Sequence, residues 1–181
     1  MKNDSEKLHH HRWGSNNSFN AVVGMDYTWH AEQSQKNGEP GYIWLNNART
    51  RGRFKDGERL DDVNVAGFNP CVEQQLEDAE LCCLVETFPA KHEDLEDYLK
   101  TLKIAYLYGK TITLSNTHWP ETNAKMLKNR RIGLSQSGVV QAFNKFGRRT
   151  MFQWCDDAYD HVQKLDKEYS DWLCVPRSVR M

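Results

Sequence analysis

Two stretches of helical spacing, set among apolar runs too short for anything but strands, limit most strongly how this 181-residue chain can fold. From His92, the residues Leu95, Tyr98, Leu99, Leu102, Ala105 and Tyr106 recur at i, i+3, i+4 and i+7, one face of an α-helix. Asp94, Glu96 and Asp97 stand in its first turns, where carboxylates complement the helix dipole. Gly109 and the β-favouring Thr111–Leu114 are expected to end it. A longer pattern runs from Met151 to Val175, with Phe152, Cys155, Ala158, Tyr159, Val162, Leu165, Tyr169, Trp172 and Leu173 on one face, and Pro176 stops it. Shorter helices are predicted over Asp26–Gln35 and Gly138–Phe146, and from Pro120, as an N1 proline, to Asn129-Arg130-Arg131. Phe19–Gly24, Tyr42–Leu45 and Ile132–Ser135 are strand candidates, and Leu81–Val85 is a further apolar run. Residues 47–62, charged and broken by Gly52 and Gly57, are expected to be loop. Strands alternating with helices indicate an α/β protein with parallel strands. Without a repeat or linker, the chain reads as one domain or one contiguous piece of a larger one. Residues 1–18 form a polar segment, and both ends look cut.

Composition excludes several function classes. Lys and Arg total 24 against 25 Asp and Glu, which removes any bulk charge argument for direct nucleic-acid binding or an anionic membrane. No apolar run approaches the roughly 20 residues of a membrane span. The N-terminus lacks the apolar core of a signal peptide, so the expected location is cytoplasmic. The run His9-His10-His11 is read as a solvated start rather than a metal site, and no metal site is expected.

Five cysteines, at 71, 82, 83, 155 and 174, form no C-x-x-C pair and are odd in number. Neither a zinc ribbon nor a secreted disulfide framework fits, so free thiols are expected. Cys155 and Cys174 fall on helical patterns and read as core. His118-Trp119 reads as packing at a helix start, and Arg130-Arg131 as positive charge at a helix C-terminus.

Asn69-Pro70-Cys71-Val72-Glu73 differs in kind, because it sets an amide, a thiol and a carboxylate at alternate positions. In an extended loop the three side chains would point one way and meet one ligand. Taken alone, Cys71 would be an ordinary small apolar residue. Residues 69 to 82, however, give Asn69, Pro70, Cys71, Glu73, Gln74, Leu76, Glu77, Glu80, Leu81 and Cys82 in a pattern that resembles the active-site stretch of ribonucleotide reductases. The nearest likeness is to class II, adenosylcobalamin-dependent enzymes of the monomeric ribonucleoside-triphosphate type. Gly38-Glu39-Pro40-Gly41 with Trp44-Leu45 resembles the segment upstream in that family. Thr117–Asn123 and Asn129–Ser135 resemble segments downstream, and the likeness runs from about Arg12 to Arg177.

The resemblance implies an incomplete section, residues 19–181, of the family's ten-stranded α/β barrel, with the radical-cysteine loop at 69–73. It implies that Cys71 becomes a thiyl radical and takes the 3′ hydrogen of the ribose. Glu73 would be the general base on the 3′ hydroxyl, and Asn69 would bind the ribose hydroxyls. Cys82 would be one member of the reducing dithiol, later restored by thioredoxin or another dithiol. Its partner has no candidate, since no cysteine precedes Cys71, and Cys83 would face the opposite way in a strand. The implied cofactor is adenosylcobalamin, with no residue here assigned to hold it, and the implied substrate is a ribonucleoside triphosphate. Family reductases are several times longer, so companion reductase chains would be needed and the chain alone would be silent. The competing function class is a non-catalytic remnant or interaction fragment of a split reductase. A thiol- or metal-binding module unrelated to reductases would instead bring stoichiometric zinc.

Overall fold

The computed structural model describes residue 14 and residues 16–51 and 57–181. The histidine run at 9–11, most of the polar segment 1–18, Arg12 and Gly52 lie outside the described residues. The chain divides into two compact units, residues 1–78 and 79–181.

The first unit opens with β1 (Ser18–Asn20), α1 (Thr28–Asn37) and β2 (Gly41–Ile43). The two strands pair in parallel, Ser18 opposite Gly41 and Asn20 opposite Ile43, with the helix as the crossover. β1 is shorter than the apolar run Phe19–Gly24, whose Val23 is exposed. Gly38 ends α1 at a positive φ of 79°, and its N–H donates to the Ser34 carbonyl at 2.7 Å. A six-residue helix, α2 (Leu45–Thr50), stands where loop was expected. Leu45 and Ala48 form one apolar edge of that polar sequence and, with Val65, make this unit's small core, against which Phe68 packs. Spacing cannot reveal a helix with only two inward residues.

β3 (Gly67–Phe68) and β4 (Gln75–Leu76) then pair antiparallel, Gly67 opposite Leu76. This departs from the expected parallel arrangement, and the connection explains it. Residues 69–74 are too few for a parallel crossover and suffice for a hairpin.

In the second unit β5 (Leu84–Thr87) pairs in parallel with β6 (Gly133–Gln136), Leu84 opposite Gly133 and Thr87 opposite Gln136. Between them lie α3 (Leu95–Thr113) and α4 (Pro120–Asn129). α5 (Val139–Phe146) and α6 (Arg148–Leu173) follow. Asp94 caps α3 by accepting from the Asp97 N–H at 2.9 Å, and Pro120 opens α4 at N1. The core joins Tyr98, Leu102 and Tyr106 of α3 to Ile132, Ala142, Met151, Trp154, Ala158, Val162 and Leu165.

α3 does not end at Gly109. It continues through Thr111-Ile112-Thr113 because its far end buries Lys110 and Thr113, and tertiary packing overrides local β preference there. Gly109 is the contact that permits this, since a Cβ at that position would sit 2.9 Å from Ile132 Cγ2. The inward stripe of α6 also differs from expectation at its start. Met151 and Trp154 are buried while Phe152 is 62% exposed; the expected Ala158, Val162 and Leu165 are buried, but Trp172 near the end of the helix stands exposed. Phe146 of α5 packs on Trp154 at 4.5 Å between ring centroids and sets that phase. Cys155 and Cys174 are consequently exposed rather than core. His118 and Trp119 are both exposed before α4, their rings edge to face at 6.3 Å between centroids.

Candidate functional site

The segment 69–73 is a turn and not the extended loop expected. Asn69 O accepts from the Val72 N–H at 3.0 Å, which closes four residues with Pro70 at the second position. The Asn69 N–H donates to Gln74 O at 3.0 Å and extends the β3–β4 ladder to the foot of the turn. Val72 takes a positive φ of 68°, which a β-branched residue tolerates poorly, at a cost of roughly 1–2 kcal/mol. Strain held in a reactive-residue turn is a known mark of functional sites.

Folding brings Asn69 and Glu73 together, though by the turn and not by alternation. The Asn69 amide N–H donates to Glu73 Oε1, while its Oδ1 accepts from the Gln74 N–H at 3.1 Å. The buried carboxamide of Asn69 therefore binds the carboxylate and the backbone at once. Asn16 donates to the Pro70 carbonyl and ties the turn from outside. Cys71 is a free, exposed thiol at the crest. Beside the turn, Gln74 is buried, and its Oε1 has no hydrogen-bond partner among the described residues.

The second cysteine segment opens the other unit. Cys82 is exposed and Cys83 buried, the opposite orientation expected of adjacent residues in extended chain. The Cys83 thiol lies 3.6 Å from the Gly109 carbonyl. Burial, and then the neighbouring Cys82, raise the Cys83 pKa, which makes it an inert thiol.

Two buried polar clusters escaped the sequence reading. Glu80 Oε1 accepts from Asn129 Nδ2 and from Arg131 Nε, each at 3.1 Å, and the Arg131 side chain is fully buried. Arg131 is thus an internal ion-pair partner, not a helix-end charge. Arg130, in the left-handed region, donates to the Thr113 carbonyl. In the second cluster Lys110 Nζ donates to Asp166 Oδ1 at 3.0 Å, Ser170 Oγ at 2.7 Å and Pro176 O at 3.1 Å. Tyr106 donates to the same carboxylate oxygen at 2.9 Å, and burial with that carboxylate raises its pKa. Burial lowers the pKa of Lys110, and Asp166 opposes the shift. The one available signal was that Glu80 and Asn129-Arg130-Arg131 belong to the family-like words; nothing marked Lys110 or Asp166.

The parallel βαβ element, the cysteine hairpin and the second parallel pair covered by helices match a section of a class II ribonucleotide reductase fold. Superposition on a crystal structure of a B12-dependent (class II) ribonucleotide reductase gives a TM-score of 0.86 at 32% identity, over 99% of this chain and 29% of that one. The chain is 50% identical over 170 residues to a probable adenosylcobalamin-dependent ribonucleoside-triphosphate reductase of Dictyostelium discoideum. It is 48% identical over 169 residues to the adenosylcobalamin-dependent ribonucleoside-triphosphate reductase of Euglena gracilis. Each match covers 93% of this chain, but 22% and 23% of the relatives, so the chain spans about a quarter of their length. No protein-family profile matches. The chain corresponds to a segment of the adenosylcobalamin-dependent ribonucleoside-triphosphate reductases, as its sequence words implied.

Proposed function

We propose that this chain is the radical-cysteine section of an adenosylcobalamin-dependent reductase that converts ribonucleoside triphosphates to deoxyribonucleotides in the cytoplasm. The observation that carries the reading is the Asn69–Glu73 turn, with an exposed thiol at its crest and a carboxylate held by the Asn69 amide. Cys71, as a thiyl radical, takes hydrogen from C3′; an S–H bond forms as the C3′–H bond breaks, and the unpaired electron passes to the ribose. The two bonds are close in strength, so the step is nearly balanced and reversible. Glu73 accepts the 3′-hydroxyl proton as the 2′ hydroxyl, taking a proton from a thiol of the reducing pair, leaves as water. Asn69 orients Glu73 and offers its amide to the ribose hydroxyls.

Cys82 and a thiol outside this chain supply two electrons and two hydrogens and become a disulfide. The net change is ribonucleotide plus dithiol to deoxyribonucleotide, disulfide and water. Thioredoxin or another dithiol then reduces that disulfide by exchange.

Adenosylcobalamin, when bound, supplies the radical equivalent. Four cavities among the described residues hold about 330 to 560 Å³, the scale of a small ligand. No metal-ligand cluster occurs among the described residues. Among the described residues, none is assigned to the cofactor. No described helix is long and apolar enough to cross a membrane.

The test combines this chain with companion segments, adenosylcobalamin, a ribonucleoside triphosphate and a dithiol. Deoxynucleotide is expected with the native chain and not with Cys71→Ser. Product that survives Cys71→Ser overturns the assignment, and no product from any complete set makes the chain a non-catalytic remnant.

A further inference from the structure

We propose that Glu80, Asn129 and Arg131 form a buried clamp that presents Cys82 in a fixed position, and that they are positioning residues for its redox step. This rests on the redox reading of Cys82. The exposed pair Leu81–Cys82 is a two-residue arch between buried neighbours: Glu80 is 7% exposed and Cys83 4%. Both feet of the arch are pinned to one short stretch of chain.

On one side Glu80 Oε1 takes hydrogen bonds from Asn129 Nδ2 and Arg131 Nε, both at 3.1 Å. On the other, Cys83 O accepts from the Gly133 N–H at 2.8 Å, and the Cys83 thiol sits against the Gly109 carbonyl. The far partner is itself held, because Asn129 O accepts from the Val179 N–H at 2.9 Å. Arg131 cannot swing away to solvent, since its side chain is fully buried. Fixing residues 80 and 83 to positions 129, 131 and 133 leaves Cys82 almost no backbone freedom while its thiol remains open to a reductant.

Burial of such an ion pair stabilises a fold little better than an apolar pair of the same volume. Its distinctive contribution is direction. Two donors from separate residues, Arg131 Nε and Asn129 Nδ2, converging on one carboxylate oxygen restrict the arrangement more than apolar contacts would. A thiol that must meet a second thiol at bonding distance needs that restriction, because disulfide geometry is narrow.

A nitroxide label on Cys82 tests this in the full chain with Cys71, Cys155 and Cys174 changed to serine; Cys83 is buried and protected. Glu80→Ala is expected to shift the Cys82 label toward the mobile limit. A label on Cys155, on α6, is expected to stay unchanged by Glu80→Ala in a second background, with Cys71, Cys82 and Cys174 changed to serine. Glu80→Gln keeps the acceptor oxygen and is expected to recover most of the native line shape, and Arg131→Lys is not. An unchanged Cys82 label in folded Glu80→Ala overturns the clamp. Equal mobilisation of both labels overturns it too, because Glu80 would then serve the fold generally. If Glu80→Ala does not fold, Asn129→Ala, which removes one hydrogen bond, reads the same quantity with the same two outcomes. The redox reading fails separately: thioredoxin-dependent turnover that survives Cys82→Ser in the completed reductase would remove it without altering any label spectrum.

Discussion

The two units treat polar groups in opposite ways. In the cysteine turn the polar partners are sequence neighbours, Asn69 with Glu73 and Asn69 with Gln74, around an exposed thiol. In the second unit they are buried and distant, Glu80 with Arg131 across 51 residues and Lys110 with Ser170 across 60. The first unit's core is three side chains and a packed Phe68, while the second's spans three helices and the residue before β6. The turn that carries Cys71 is shaped mainly by hydrogen bonds between sequence neighbours, with Asn16 as a distant tie, whereas buried polar pairs join distant segments in the second unit. A short turn can hold strain at Val72 only if its feet are tied, and the β3–β4 ladder does so.

Breaking the buried side of that contrast should have the largest effect. Lys110→Ala leaves Asp166 as a buried carboxylate without its cation and is expected to cost about 3–5 kcal/mol in urea denaturation. Lys110→Met with Asp166→Leu is expected to recover much of the loss, because it removes both charges together. A cost below about 1 kcal/mol for the single change would place the pair with weak surface bridges instead.

Gly109→Ala sharpens the same point at smaller scale. Alanine would gain about 1 kcal/mol in helix propensity. Its Cβ would press on Ile132 Cγ2 at 2.9 Å, and Ile132 is buried and stiff at χ1. Overpacking of this kind costs about 1–3 kcal/mol, so a net loss is expected in thermal melting. Ile132→Leu removes that methyl at constant volume and is expected to restore the propensity gain. A more stable single variant would show that the contact relaxes freely.

At the turn, Asn69→Ala removes the acceptor for the Gln74 N–H and the donor to Glu73, at a cost of about 1–2 kcal/mol. The expected signature is local. Amide exchange at Gln74 should accelerate while the Tyr98 and Trp154 region keeps its protection. Matching acceleration in both units would mean that the turn is not an independent local structure.

The same division decides what could be read in advance. The helix at 120–129 was legible from Pro120, and the inward stripe of α6 from Ala158 to Leu165 from its spacing, because caps and periodicity are local. The cysteine segment was legible because its residues are consecutive, although its shape was misjudged: alternation suggested an extended loop, and the hairpin forced a turn. α2 was invisible with two buried residues, and the end of α3 was missed because Lys110 is buried by partners 56 to 66 positions away. Arg131 read as an ordinary helix-end charge because nothing near it announces Glu80. The outward faces of Cys155 and Phe152 follow from the packing of Phe146 on Trp154, a contact outside any single helix's pattern.

The smallest expected effect lies between two helices of the second unit. His161 on α6 has a buried Nε2 with no hydrogen-bond partner among the described residues. Burial lowers its pKa below the ordinary 6.5, and Lys103 and Lys164 add to that, while a hydrogen bond to the Leu99 backbone opposes it. In the unfolded chain the imidazole takes up its proton near 6.5, and in the folded chain only at lower pH. The unfolded state therefore binds more protons in that window. Stability is present in full above 6.5 and is lost as pH falls toward the folded pKa, at no more than about 1.4 kcal/mol per pH unit for one proton. Urea midpoints of the native chain and His161→Gln, followed from about pH 7.5 to about pH 5.5, should converge or cross as the pH drops. Parallel curves would mean that the ring protonates equally in both states, and that the contact between α3 and α6 is open enough to hydrate it.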